Sequence, residues 1–397
     1  MNRREASKTI GLGILGAAVA GMKVNAAVPG AARRPVGAPV AASDRKKWAR
    51  QNFRGMEAFI LPSFTPGLED LDEDGIRNDV RHGIKQGFGA LFSTSLGLRP
   101  AESRRFLEII ADEAKGKVLV GGTSGGGGTM DDRIAALRHA ESLGVSETLL
   151  SFDPKLQTED EIYNSMKSMI TSTNMGIVLY GAPNKAFQKF HPCGLPMNAI
   201  NQLADLPNVI AVKLTQEINF VTAYQVAELV SDRVIVGAVN LEIVPLFANK
   251  YPVQWSGEWA VDAIQSPEKP YAVQFMELVA RGHSADAVKV YWQMQPALDA
   301  FFKLQGPTIV AGGHPWAQIK YYKWLTGGNG GLLRDLKMRP DQVPVLDAQS
   351  RQACRDAFQS AGIKCVDLPE EAFVVGNAAY AKGARMKDMA SMPQYVV

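Results

Sequence analysis

The 397-residue chain has few of the residues that build disulfide frameworks or metal sites. It holds three cysteines and five histidines, and neither set has the short, regular spacing of metal ligands. Cys354 and Cys365 lie near enough in sequence to pair in an exported protein, and the alternative is two buried free thiols. We therefore expect no disulfide scaffold, no metal and no other cofactor.

An excess of charge is also missing from most of the chain. The formal net charge is +3, but residues 1–26 hold four of the 43 basic residues and one of the 40 acidic ones, so the remainder is formally neutral. Such a balance does not favour nucleic acid or an anionic membrane surface. The run Gly121–Gly128 lacks the lysine of a phosphate-binding loop and the spaced glycines of a dinucleotide site.

The N-terminus has the pattern of a targeting segment. An arginine pair, Arg3-Arg4, precedes an apolar stretch rich in Gly and Ala, and Val24-Asn25-Ala26 offers a small-residue cleavage site. The pattern predicts a twin-arginine export signal over residues 1–26, although Ala6 stands where a large apolar residue is common. An ordinary secretory signal or an uncleaved anchor is the alternative. We expect a periplasmic or secreted protein that has no membrane contact after the signal is removed.

Residues 27–54 are predicted to be a linker, because residues 27–43 are rich in Pro, Ala and Gly without apolar periodicity. From Gly55 onward, apolar runs alternate with amphipathic stretches at a period of about thirty residues. The strand candidates are 58–61, 90–92, 118–120, 148–150, 177–179, 209–212, 234–236 and 253–255. Eight units in an unbroken rhythm favour an α/β fold, a closed (β/α)8 TIM barrel over residues 55–282, rather than an open doubly wound sheet.

Three further helices are predicted in residues 283–366, at 285–302, 314–325 and 348–361. They are amphipathic, so we expect them to pack on the barrel or on another subunit. Residues 367–397 have little periodicity and form a tail to which the sequence assigns no role.

One lysine and one tyrosine stand at the ends of apolar strand candidates. Lys213 ends the run from Val209, and Tyr180 ends the run from Ile177. If the two strands are parallel neighbours, both side chains emerge at one edge of the sheet. Apolar surroundings lower the pKa of a lysine, and a free amine beside a phenol can form a Schiff base with a carbonyl compound. Alternatively, Lys213 pairs with a carboxylate or is hydrated, and Tyr180 is a core phenol.

Other polar side chains are predicted at the same edge. They are Ser63, Thr65, Ser93, Thr94, Ser95, Lys185 and Glu258.

The order of these motifs between about Glu57 and about Ala300 resembles the pyruvate-dependent class I aldolase family of dihydrodipicolinate synthase and N-acetylneuraminate lyase. Leu179–Pro183 is similar to the family's L-Y-N-x-P turn, and Val209–Lys213 to its Schiff-base strand. Thr65-Pro66 matches the pair that ends its first strand. The resemblance implies that Lys213 attacks the ketone of a 2-oxo acid, that Tyr180 shuttles the proton with a pKa lowered by the nearby cation, and that the protein is a homo-oligomer.

The chain departs from the family pattern around the substrate. Ser93-Thr94-Ser95 replaces the G-T-T-G-E loop, Phe152-Asp153 replaces paired tyrosines, and Lys185 replaces an arginine that binds a second carboxylate. Trp259 stands in a segment that is small in the family and favours a bulkier or aromatic substrate. These changes argue against lysine biosynthesis itself. By resemblance, the predicted substrate-binding residues are Ser93, Thr94, Ser95, Thr65, Lys185 and Trp259.

Two functions follow from this pattern. The first is an exported, cofactor-free lyase or aldolase that cleaves or forms a carbon–carbon or carbon–oxygen bond of a 2-oxo acid such as pyruvate or a bulkier derivative. The second is a catalytically silent TIM barrel that serves as a binding or structural protein in the periplasm. The altered carboxylate loop is the feature that keeps the second function open, because one fold can serve proteins with and without catalytic activity.

Overall fold

A parallel barrel is the centre of the computed structural model, which describes residues 40–123, 128–215, 219–238, 240–258, 260–311, 313–334 and 344–397. The predicted export signal, residues 27–39 of the predicted linker and Trp259 lie outside these residues. The strands in the described part are β1 (Gly55–Ile60), β2 (Ala90–Ser93), β3 (Leu119–Thr123), β4 (Glu147–Leu150), β5 (Gly176–Gly181), β6 (Val209–Leu214), β7 (Ile235–Ala238) and β8 (Trp255–Ser256).

The strand order is β7-β6-β5-β4-β3-β2-β1-β8, and every pair is parallel. The Ser256 hydroxyl donates to the Ala238 carbonyl at 2.8 Å and links β8 to β7. Consecutive parallel strands that wind in one direction and meet in this way form a (β/α)8 barrel. The predicted fold class is confirmed.

Helices connect the strands on the outside of the barrel. They are α1 (Arg45–Asn52), which precedes β1, and then α2 (Glu73–Lys85), α3 (Pro100–Ala114), α4 (Met130–Ser142), α5 (Glu159–Ile170), α6 (Met197–Leu203), α7 (Phe220–Val230), α8 (Val244–Ala248) and α9 (Tyr271–Ala280). Four begin with a side chain that accepts from a backbone N–H of the first turn, namely Asp72, Thr129, Thr158 and Asn219. Such caps satisfy donors that the helix itself leaves unpaired.

The prediction of a linker over residues 27–54 is wrong for residues 45–52, which form α1. Ala49 and Phe53 are buried against the residues that begin the strands, and the Phe53 ring lies 4.7 Å from that of Trp255. The Gln254 amide donates to the carbonyls of Ala49 and Phe53 at 3.1 and 2.7 Å. This helix therefore covers the N-terminal end of the barrel, opposite the end where barrel active sites lie.

The three predicted C-terminal helices are present as α10 (Ser284–Val310), α11 (Trp316–Leu325) and α12 (Ala348–Ser360), followed by α13 (Glu370–Val375) and α14 (Asn377–Ala381). The segment to which the sequence assigned no role packs on α11. The Phe373 ring lies 4.9 Å from Tyr321 and 5.6 Å from Trp324. Cys354 and Cys365 are free thiols. In the described part of the chain, no helix combines the length and the apolar character needed to cross a bilayer.

Candidate active site

Lys213 and Tyr180 lie side by side on neighbouring strands. β5 and β6 pair in parallel, and Tyr180 is the register partner of Lys213. Residues that pair in this way point to the same face, which is here the interior of the barrel. Lys213 is 4% exposed and Tyr180 is half-buried. The strand pairing that the sequence predicted is confirmed.

The amine of Lys213 lies among aromatic rings and carboxylates. Its Nζ is 4.8 Å from the ring centroid of Phe59 and 5.9 Å from that of Phe92. Burial lowers the pKa of Lys213, while Glu57, Glu258 and Glu147 act in the opposite direction. The lowered pKa agrees with the sequence-based expectation and favours the neutral, nucleophilic amine.

A glycine makes room for this amine. A Cβ added to Gly257, which directly follows β8, would lie 2.9 Å from Lys213 Nζ and 3.1 Å from Glu57 Oε2. Real Cβ atoms do not come so close to other heavy atoms without displacing them. A side chain at this position would have to displace the end of Lys213 or of Glu57, so the absence of one leaves room for both groups beside the backbone.

Two glutamates share the interior of the barrel with Lys213. Glu57 on β1 is 3% exposed and Glu147 on β4 is 1% exposed. A Cβ on Gly121 of β3 would lie 1.7 Å from Glu147 Oε1 and 2.9 Å from Glu57 Oε1, so both carboxyl groups converge on that glycine. Burial raises the pKa of Glu57, and burial followed by the charge of Glu57 raises that of Glu147.

The hydroxyl of Tyr180 donates to Thr215 Oγ1 at 3.5 Å. Burial raises the pKa of Tyr180, and the hydrogen bond to Thr215 opposes the rise. The expectation that a nearby cation lowers this pKa is therefore wrong. The cost of burying a phenolate outweighs the other influences on Tyr180, and Lys213 is itself held toward its neutral form.

A residue from the C-terminal region borders the site. Burial and the charge of Lys213 both lower the pKa of His314, which precedes α11. The His314 ring stacks on Trp316 at 5.0 Å, and the Trp316 ring meets Phe59 at 5.6 Å. The helices beyond the barrel therefore contribute to the surroundings of Lys213.

Comparison with known proteins assigns the barrel to a family. Residues 52–310 match the family model described as "Dihydrodipicolinate synthetase family". The chain belongs to this family. A 4-hydroxy-tetrahydrodipicolinate synthase of Chlorobium phaeovibrioides is 27% identical over 260 residues, which are 61% of this chain and 80% of that protein.

Solved structures agree with the fold of this family. A monomeric dihydrodipicolinate synthase variant has a TM-score of 0.62 and 17% identity, and the match covers 79% of this chain and 99% of that one. The N-acetylneuraminate lyase of Fusobacterium nucleatum has a TM-score of 0.62 and 16% identity, with coverage of 78% and 99%. Membership of the family supports an aldolase-type lyase.

The other predicted site residues lie in several different surroundings. Ser93, Thr94 and Ser95 line a cavity of about 570 Å³ between the sheet and helices α3 and α4, and its described lining includes Arg104 and His139 but neither Lys213 nor Tyr180. The Thr65 hydroxyl donates to the Asp70 carbonyl at 3.4 Å within its own loop. Lys185 is exposed on the 3-10 turn that follows β5. Their roles in substrate binding stay predictions, as does that of Trp259.

Sequence reasoning missed Glu57, Glu147 and His314. The signal for the two glutamates was their position next to apolar strand residues, because a charged side chain there must point into the barrel or out among the helices. The predicted strands began at Ala58 and Thr148, one residue after each glutamate. The observed strands include both.

Proposed function

We propose that the protein is a Schiff-base-forming lyase that acts through Lys213 on a 2-oxo acid, either pyruvate or a bulkier derivative. The observation that carries the proposal is the placement of this amine. It is the penultimate residue of β6, is 4% exposed, has a pKa lowered by burial and pairs in register with Tyr180. The family's aldolase-type lyases supply the reaction class.

The first step is attack of the Lys213 amine on the ketone carbon. A carbon–nitrogen bond forms, the π electrons move to oxygen, and proton transfer gives a carbinolamine. The hydroxyl group then takes up a proton and leaves as water, while the nitrogen lone pair forms the carbon–nitrogen double bond of an iminium ion. This cation draws electrons from the adjacent bond, so a carbon–carbon or carbon–oxygen bond breaks, or forms in the reverse direction.

Tyr180 is the proposed general acid and base for these proton transfers. Because burial raises its pKa, the phenol is protonated at neutral pH and first acts as a donor. Thr215 orients the hydroxyl through the hydrogen bond at 3.5 Å. The faces of Phe59 and Phe92 exclude water from the amine and stabilise the cation that forms on it.

The proposal extends to substrate size, location and assembly. Lys185 follows the strand that carries Tyr180 and supplies an exposed cation for a second carboxylate, and Trp259 favours a bulky acceptor. The pattern of residues 1–26 supports export to the periplasm or beyond by a twin-arginine-like route. The family resemblance supports a homo-oligomer.

Borohydride trapping tests the proposal. The protein is incubated with pyruvate, with an aromatic 2-oxo acid such as phenylpyruvate, or with buffer, and sodium borohydride then reduces any iminium to a stable secondary amine. We expect the intact mass to increase by one reduced adduct with at least one acid. Lys213→Arg keeps the charge but is expected to give no adduct. A folded wild-type protein that forms no adduct with any 2-oxo acid would support the silent binding barrel instead.

A further inference from the structure

Two carboxyl groups beside Lys213 have no role in the mechanism above. Glu57 lies between the amine and Glu147, because its Oε2 faces Gly257 together with Lys213 Nζ, and its Oε1 faces Gly121 together with Glu147 Oε1. Both glutamates are at most 3% exposed. The group reaches across the barrel from β1 through β3 to β4.

If Glu57 and Glu147 were both ionised, their buried oxygens would lack hydrogen-bond donors. Glu57 Oε1 and both oxygens of Glu147 are buried and accept no hydrogen bond from the described residues. Two negative charges so close together in a low-dielectric interior repel each other strongly. A proton held between Glu57 and Glu147 would supply the donor and remove one of the charges.

We propose that Glu57 and Glu147 share one proton inside the barrel, and that their single negative charge is the counter-ion of the Schiff base formed at Lys213. The shared proton is independent of the proposed function, whereas the role as counter-ion rests on it. Glu57 and Glu147 are positioning residues in this account, because they act on the substrate through the charge of Lys213.

The charge balance explains why one proton is needed. When the carbinolamine loses water, the carbon–oxygen bond breaks and the nitrogen acquires one positive charge. The proton that leaves with the hydroxyl group comes from Tyr180 or solvent, so the pair keeps its own proton throughout. One positive and one negative charge then face each other in the barrel, whereas two negative charges would hold the resting amine protonated and unreactive.

Other titratable groups also face Lys213. Glu258 follows β8, His314 precedes α11 and Tyr180 lies on β5. Glu57 is the strongest of the carboxylates that act on Lys213, ahead of Glu258 and Glu147. A charge moved from Glu147 to Glu57 must therefore increase protonation of the amine, and a charge moved the other way must decrease it.

Competitive labelling of the substrate-free protein tests the shared proton. A limiting amount of formaldehyde with cyanoborohydride methylates neutral amines, and peptide masses report Lys213 relative to the exposed Lys115 as an internal reference. The variants are Glu57→Gln, Glu147→Gln and, as a matched control, Glu268→Gln at an exposed position. Each is measured from pH 6 to pH 11.

If the pair holds one proton, Glu147→Gln confines the charge to Glu57 and slows labelling of Lys213 at pH 7, by several-fold to about tenfold. Glu57→Gln leaves the charge on Glu147 and speeds it by a similar factor, and Glu268→Gln has no effect. The differences must disappear at pH 11, where the amine is neutral in every variant. A change in access alone would persist at that pH.

The opposite outcomes are equally specific. Faster labelling in both Glu57→Gln and Glu147→Gln would mean that the pair carries two negative charges in the wild type. Unchanged labelling in both would mean that the pair carries no charge. Either result overturns the shared proton. If Glu57→Gln does not fold, Glu147→Gln still decides, since slower labelling supports the shared proton and faster or unchanged labelling overturns it.

The counter-ion half is tested by trapping with a 2-oxo acid that gives an adduct. We expect Glu57→Gln to lower the yield of reduced adduct several-fold, and an unchanged yield would overturn this half. Labelling uses no 2-oxo acid, so the shared proton can hold while the lyase proposal fails, and the lyase can hold while the shared proton fails.

Discussion

Lysines are buried in two neighbouring regions of the structure, and they differ in their hydrogen-bond and ion-pair partners. In the barrel, Lys213 Nζ lies 4.8 Å from the ring centroid of Phe59 and 5.9 Å from that of Phe92, and no described carboxylate forms an ion pair with it within 4.0 Å. On α11, Lys323 forms an ion pair with Asp262 at 3.3 Å and donates to the Phe59 carbonyl. Lys320, two positions before Tyr322, donates to the Pro62 carbonyl and to Ser63 Oγ at 3.2 Å.

The difference shows that burial of a lysine does not by itself indicate catalysis. Burial lowers the pKa of Lys320 to about 8, which is a perturbation typical of functional sites as well. Its protons are nevertheless directed at backbone and hydroxyl oxygens that hold α11 on the end of β1. The amine of Lys213 faces rings and more distant carboxylates, so a carbonyl compound has less to displace.

Phe59 connects the two regions. Its carbonyl accepts from Lys323, and its ring lies against Lys213. The α11 region therefore holds Phe59 in place, and the ring of Phe59 forms one wall of the candidate site beside Lys213.

The largest expected effect is the loss of adduct formation when Lys213 is replaced. Lys213→Met removes the nucleophile, so we expect at least about a 10³-fold loss of borohydride-trapped adduct. The folded pKa of Lys213 is lowered, so its burial costs stability at pH 7, and the midpoint of thermal unfolding should stay the same or rise. Intact mass and calorimetry check both results. A large loss of stability would place Lys213 with the structural lysines.

The second prediction makes the reverse change on α11. Lys323→Met leaves Asp262 as a buried carboxyl group without its cation, so we expect a loss of about 3–5 kcal/mol in the free energy of unfolding. Urea unfolding measures it, with Lys303→Met at an exposed position of α10 as the control. The double variant Lys323→Met/Asp262→Leu should recover much of the loss. A single variant as stable as wild type would contradict the structural role.

The third prediction concerns Tyr180. No residue of the α11 region has been assigned a comparable role in proton transfer. Tyr180→Phe should still form the trapped adduct but slow proton exchange at the carbon next to the iminium by about 10²-fold. Incorporation of deuterium into the methyl group of pyruvate, followed by proton NMR, measures it. Thr215→Val should have a smaller effect because its hydrogen bond is long, 3.5 Å. An equal loss in both variants would assign the role to Thr215.

The fourth prediction is a pH dependence of stability. The pKa of Glu147 is raised above its ordinary value of 4.5, so the folded protein holds a proton that the unfolded chain releases above that pH. Stability of the wild type then falls as pH rises, by about 1.4 kcal/mol per pH unit until the folded group titrates. Glu147→Gln should be more stable than wild type at pH 8, with the gap closing toward pH 4.5. A constant gap would mean that Glu147 is not protonated.

Most of the barrel could be predicted from sequence because each unit repeats a strong local pattern. The helix predicted at 314–325 differs from α11 by two residues at its N-terminal end, and the strand predicted at 209–212 lies within β6. The pairing of Tyr180 with Lys213 followed from strand order alone. Helix α1 was missed because it is short and polar, and its burial comes from Trp255, about two hundred residues away.

The parts of the site that escaped prediction depend on contacts between distant strands. Glu57 and Glu147 converge only because Gly121, on a third strand, has no side chain. His314 reaches the site through the packing of α11, which no local periodicity encodes. Burial, rather than sequence spacing, also decided the direction of the Tyr180 pKa.

Peptide mapping after reduction with borohydride tests the central claim most directly, because it compares Lys213, Lys320 and Lys323 in one sample. The account predicts that the adduct of a reactive 2-oxo acid is found on Lys213, while Lys320 and Lys323 are recovered unmodified. An adduct on Lys320 or Lys323 with Lys213 unmodified would contradict it.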